Sequence, residues 1–210
     1  MDMPRHKGED GGFEIAPAGA FAARCFRVVD LGTQDFVVSG EQKSAHQIAM
    51  TWELGKLMAN GLPYTITEKY TASLNKEAKL CAILESWRGR PFTEAEKNGF
   101  DAKKMVGLAC FVNVVHVHKG DKTYANAATV MPMPDGMTHP TAVNELLYFT
   151  MDGGMVDEGI LGKISEYYQN IIKRSPEYQK IMGTSSPAQP NPRYQQSLVL
   201  KTITFNFEVT

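Results

Sequence analysis

The chain has 210 residues, 43% hydrophobic and 21% charged, with a formal net charge of -1. That length allows one domain with appendages or two small ones, and the apolar content fills a core, which excludes a globally disordered chain. A near-neutral chain lacks the overall basic charge that draws nucleic acid, so any phosphate site has to be a local patch.

The N-terminal residues 1–19 are polar and rich in Gly and Pro, with no apolar core of a signal peptide, and are expected to form a flexible arm. No apolar run approaches the roughly 20 residues that cross a bilayer, so a soluble, cytoplasmic protein with no membrane partner is expected. Cys25, Cys81 and Cys110 lie far apart in apolar surroundings and form no CxxC pair. They read as reduced, buried thiols and not as a zinc or redox motif.

From Phe21 the sequence FAARCFRVVDLGTQDFVV has strand composition. Its register becomes ambiguous at Phe26–Val29, and Gly32 marks a bulge or bend. SGEQKS (39–44) reads as a loop. In AHQIAMTWELGKL, Ile48, Met50, Trp52 and Leu54 share one face, the pattern of a half-buried strand. Asn60-Gly61 signals a hairpin, and PYTITEKYTASL (63–74) is the third strand.

A helix follows. Asn75 is a suitable N-cap, Leu80, Ile83, Leu84 and Trp87 recur at helical spacing, and Gly89 with Pro91 ends the run. Thr93-Glu94-Ala95-Glu96 is a capping box that opens a second short helix. LACFVNVVHVH (108–118), the turn KGDK (119–122) and TYANAATVMPM (123–133) form a closing hairpin. Three strands, a helical insert and a closing hairpin make a mainly β domain in the order of the OB-fold, a five-stranded Greek-key barrel, here over residues 20–134. Residues 135–184 form an extension, with short helices expected at VNELLYFTM and at 160–174. Residues 185–196 are expected to be mobile, and SLVLKTITFNFEVT reads as a last strand without an evident partner, open to exchange between subunits of a homo-oligomer.

No P-loop, GxSxG, HExxH or dinucleotide fingerprint is present, and the acidic residues form no two-metal set, so no catalysis and no cofactor are expected. His116 and His118 alternate on one strand face at a spacing that can ligate metal, but no third ligand is apparent. A solvated strand end is the expectation there, with no metal.

An OB barrel binds oligonucleotides across strands 2 and 3, flanked by the loops between strands 1–2 and 4–5. Lys43 lies in the first loop, and His118, Lys119 and Lys122 lie in the second, with Tyr124 just beyond. Tyr64, Lys69 and Tyr70 lie on strand 3 and Trp52 on strand 2. These supply the cations and flat side chains that a single strand requires. Between 41 and 125, twelve Lys and Arg face nine Asp and Glu, a local surplus of three positive charges. Trp52 shares its face with apolar neighbours and fits the core better than stacking, and Trp87 fits barrel packing. Tyr64 and Tyr70 are open to either surface or core. Arg88 and Arg90 suit a phosphate contact and a helix C-terminus equally.

The phrases RVVDLGTQ, TWELG, PYTITEKYTASLNKEAKL, LESWRGRPFTEAEKNGFDAKKMVG and VNVVHVHKGDKTYANAATVMPMPDGM resemble a phage-encoded family of small single-stranded-DNA-binding proteins. The resemblance covers residues 20–137 and rests chiefly on ESWRGRPFTEAE. It implies an OB-fold, a role in DNA replication or recombination in the cytoplasm of a bacterial host, single-stranded DNA as partner with phage or host replication and recombination proteins beside it, and no catalysis. Many replication-type binders carry an acidic tail, whereas KTITFNFEVT holds one Glu, so tail-mediated recruitment is not expected. The alternative on the same barrel is a protein-interaction module accessory to such a complex.

Overall fold

Strand β1 (Gly19–Val38) is twenty residues long and is bent twice. Its register against β2 (Glu41–Leu57) shifts between Cys25 and Arg27 and again between Asp30 and Gly32. The first bulge resolves the ambiguous stretch. It turns Val28 into one core and leaves Val29 and Leu31 to a second. At the second bulge Gly32 has φ +67, a left-handed conformation that glycine adopts without a Cβ penalty. The structure, a computed structural model, describes residues 14–183. The expected mobile segment 185–196, the last strand beyond it and residues 1–13 of the arm lie outside the described residues. Residues 14–18 of that arm are anchored: Ala16 is buried, and Glu14 accepts a 2.6 Å hydrogen bond from the Tyr64 hydroxyl.

The loop expected at 39–44 shrinks to Ser39-Gly40. Both residues have positive φ, 53 and 84, as a two-residue primed hairpin turn requires. Strands β1 and β2 therefore continue into a protruding two-stranded arm, with Val38 paired to Glu41 and Phe36 to Lys43. The chain returns through residues 58–62, where the Asn60 side chain accepts from the Leu62 N–H, into β3 (Pro63–Thr71). Helix α1 (Lys79–Arg88) starts three residues later than Asn75 would set it, and its N-cap, Ala78, offers no side-chain bond. The Thr93–Glu96 capping box forms with both of its hydrogen bonds and opens α2 (Glu94–Asn98). A 3-10 turn (Ala102–Met105) leads into β4 (Ala109–Lys119), which pairs through a two-residue turn with β5 (Lys122–Met131).

The sheet is open, and its main path runs β3-β2-β1-β4-β5 with antiparallel neighbours. No backbone ladder joins β3 to β5. Strand β4 leaves β1 at Arg24, and β6 (Leu147–Phe149) takes its place, pairing in parallel with Arg27–Val29. The helix expected at VNELLYFTM is thus a strand: unpaired backbone on β1 offers partners that helix propensity does not outweigh. The helix expected over 160–174 is two, α3 (Glu158–Leu161) and α4 (Glu166–Lys173), with Ile164 turned into the core between them. A last helix, α5 (Pro176–Ile181), begins at a Ser175 cap.

Two apolar clusters hold the sheet from opposite faces. Ile48, Met50, Trp52 and Leu54 meet α1 and β4 inside. Outside, Val29, Leu31 and Ala49 are covered by Phe149, Leu161, Tyr168 and Ile172. Strand β2 is therefore buried on both faces, not on one. None of the described helices is long and apolar enough to cross a membrane.

Candidate nucleic-acid interface

The ESWRGRPF phrase folds into a clasp. Gly89 caps α1 with φ 72. Arg88 and Arg90 then both reach the Glu96 carboxylate, at 2.5 and 2.7 Å. The two guanidiniums, with the Thr93 N–H behind them, hold that carboxyl well below the usual range. The Arg88 guanidinium also lies 4.2 Å from the Phe92 ring centroid, and Phe92 meets Phe100 edge to face at 5.7 Å. Both arginines pair with Glu96, Arg88 largely buried and Arg90 with 59% of its side chain exposed, and Arg88 through Phe92 braces Phe100.

The tryptophans are packing residues. Trp52 is fully buried and cannot present a face to a base, so its place among the stacking candidates is corrected. Trp87 is buried beside it, ring centroids 6.3 Å apart, and its indole N–H donates to the Ala109 carbonyl at 3.1 Å. Tyr70 is also buried, because it points inward with Ile66, and is likewise corrected. Tyr64 is half-buried and bonded to Glu14.

The loop residues lie where the hairpins put them. Lys43 is exposed on the β1–β2 arm, 3.6 Å from Glu41. Lys119 and Lys122 face each other at the β4–β5 turn, and His118 Nδ1 lies 2.9 Å from the Thr123 hydroxyl. Tyr124 is half-buried opposite Val117. The exposed His116 ring bonds to the Ala16 carbonyl at 2.9 Å. Among the described residues no three His, Cys, Asp or Glu side chains gather closely enough to hold a metal.

The outer face of β2, where the fold analogy places a bound strand, is covered. Glu53 is buried under residues 143–144, accepting from both the Asn144 backbone and side chain and pairing with Arg24 at 2.6 Å. Ala49 lies under the C-terminal helices. What stays open is the β3 side. Along the β3 edge runs a groove of about 480 Å³ whose polar lining includes Lys69, Thr71, Ser73, Asn75, Lys79 and one carboxylate, Glu77. Lys69 is half-buried and makes no hydrogen bond or ion pair among the described residues; burial holds its ammonium below the usual lysine range. Lys79 lies 3.7 Å from Glu68 and 5.5 Å from the Tyr70 ring centroid. Two strands over, on β1, Arg27 donates to the Thr51 hydroxyl of β2, which meets the Thr67 hydroxyl of β3 at 3.0 Å, and it has no carboxylate partner among the described residues. Sequence reasoning missed Arg27, because the Phe26 bulge that turns it outward is not legible as a period-two pattern.

Ser73 also lines a second, larger cleft of about 540 Å³ between the 72–105 insert and β6. Phe100 and Tyr148 wall it, Val28, Ile48 and Leu80 floor it, and Asp101 and Asp152 stand at its mouth. At one end His46 places Nε2 2.7 Å from Asp30 and Nδ1 3.5 Å from Glu177. Both ring nitrogens are committed to carboxylates, which leaves none to act as a base toward a nucleophile. This group is a staple for α5.

The chain matches no family model and no curated protein.

Proposed function

We propose that the protein is a sequence-tolerant binder of single-stranded DNA, built on a five-stranded barrel of the oligonucleotide-binding class. The observation that carries the reading is Lys69, a half-buried cation on the open side of β3 that makes no hydrogen bond or ion pair among the described residues, set in a groove with Lys79 and Glu77. A partly desolvated ammonium that no carboxylate contacts is completed by a phosphate. The strand path supports the barrel. Strands β3 and β5 end that path, and the buried Glu68 side chain of β3 accepts from the Ala127 N–H of β5 at 3.0 Å, which draws the two edges together. The hairpin lysines 43, 119 and 122 extend the cationic track, and the phage family resemblance suits a role in replication or recombination. Covalent chemistry has no part in this reading.

The test is competition between a labelled single strand and its duplex for wild type and Lys69→Ala. Preference for the single strand, weakened about tenfold by the substitution, is the expected result, in line with a charge-assisted contact. Equal affinity for duplex, or an unaffected variant, contradicts it. A second reading, a protein-interaction module, draws on the β1–β2 arm, whose tip exposes Val37 and Val38 by 46% and 43%. Removing both side chains without changing DNA affinity, while a replication partner is lost, would favour it.

A further inference from the structure

We propose that the cleft between Phe100 and Tyr148 takes one unstacked base of the bound strand and selects bases that carry an exocyclic amine. The inference rests on the single-strand reading above. The cleft lies beside the Lys69 groove, with Ser73 lining both. Its volume of about 540 Å³ lies within the range of small-ligand sites. Its walls are set before any ligand arrives. Phe100 is held edge-on by Phe92, which sits under Arg88, which Glu96 clasps. Tyr148 is held from the other side by the pairing of β6 with Val28. Flat aromatic side chains over an apolar floor are what an unstacked base requires.

The polar groups decide which base. The cations at the cleft are already spent: Lys97 pairs with Glu94 at 2.9 Å, and His46 lies between Asp30 and Glu177. The acceptors are not spent. The Asp152 carboxylate makes no hydrogen bond or ion pair among the described residues, and Asp101 uses one oxygen on the Lys103 N–H. A mouth with free acceptors matches an amine edge, such as N4 of cytosine or N6 of adenine. It opposes thymine, whose corresponding group is the carbonyl O4.

The test compares labelled oligo-dT with the same strand carrying one central dC, against wild type, Asp152→Ala and Asp101→Ala/Asp152→Ala, which remove the acceptors. Wild type is expected to bind the dC strand about tenfold more tightly, the size of a good base contact. The double variant is expected to bind both strands alike. The Asp152 side chain bonds to nothing among the described residues, so Asp152→Ala also controls for folding; it alone reduces the preference. Equal affinities in wild type overturn the proposal, as does a preference that survives in the double variant. Equal affinities together with a Lys/Arg peptide that binds wild type and not the double variant would assign the cleft to a basic protein partner instead. No binding of either strand would fail the single-strand reading itself, which separates the two outcomes.

Discussion

Glu96 carries more of the local architecture than any other single side chain in the helical insert. One carboxylate closes the capping box of α2, binds both arginines and, through Arg88 and Phe92, sets the wall that Phe100 gives to the cleft. Trp87 works from the other end of the same phrase. Its ring fills the inner core against Trp52, and its N–H satisfies the Ala109 carbonyl where β4 begins. Trp87→Ala is therefore expected to cost about 3–5 kcal/mol of folding stability, as for other buried Trp truncations, with little change in DNA affinity for the folded fraction. Denaturant melts and an oligonucleotide titration of the same preparation check this. A variant that melts like wild type but loses affinity would make Trp87 a stacking residue and contradict its placement.

The elements differ in how openly the sequence announces them. Alternation at Ile48, Met50, Trp52 and Leu54 gave β2, the Thr93–Glu96 spacing gave α2, and the KGDK turn gave the closing hairpin, because each depends on contacts local in sequence. The bulges at Phe26 and Leu31, strand β6 and the break between α3 and α4 were not legible. Each is decided by what β1 presents to segments more than a hundred residues away. Of the candidate site, the positions of the hairpin lysines were legible from the turns, but the burial of the aromatics was not: Trp52 and Tyr70 fall on the inner face, and the C-terminal segment covers the outer face of β2. The docking of α5 shows how close that cover lies. A Cβ on Gly32 would come within 2.5 Å of the Ser175 Cβ. Gly32→Ala is expected to cost about 1–3 kcal/mol, combining left-handed strain with displacement of α5, measurable as a lowered denaturation midpoint. The charges beside it make that docking pH-dependent. The Asp30 hydrogen bond holds His46 above its ordinary value of about 6.5. Burial alone would raise Asp30 and Glu177, but hydrogen bonds from His46 and Gly32 to the first, and from Thr33 to the second, win and lower both. The His46 contribution is fully present below about pH 6.5 and is lost as pH rises through its raised value. The carboxylate contributions are present above their ordinary range and are lost only as pH falls through the lowered values. Melting temperature should accordingly fall between pH 6.5 and mildly alkaline pH in wild type, and His46→Ala should flatten that limb. A variant with the wild-type slope would mean that α5 does not depend on the pair.

At the scale of the whole molecule, a twice-bent β1 serves two cores. The inner one closes around α1, and the outer one is built by the chain's own C-terminal segment across β1 and β2. That cover leaves the open, cation-bearing surface at the β3 edge, where Ser73 lines both the groove and the neighbouring aromatic cleft. On the proposed single-strand reading, a near-neutral protein would hold a polyanion there through local positive charge: Lys69 and Lys79 in the groove, and Lys43, Lys119 and Lys122 on the flanking hairpins. The most direct test of this account is the salt dependence of affinity for a labelled single strand. Each phosphate neutralised on a single strand contributes about -0.7 to the slope of log K against log salt. Three to five engaged lysines give a slope of about -2 to -3.5, and Lys69→Ala should make it shallower by about 0.7. A slope near zero, or one that Lys69→Ala leaves unchanged, would contradict a cationic single-strand groove at β3.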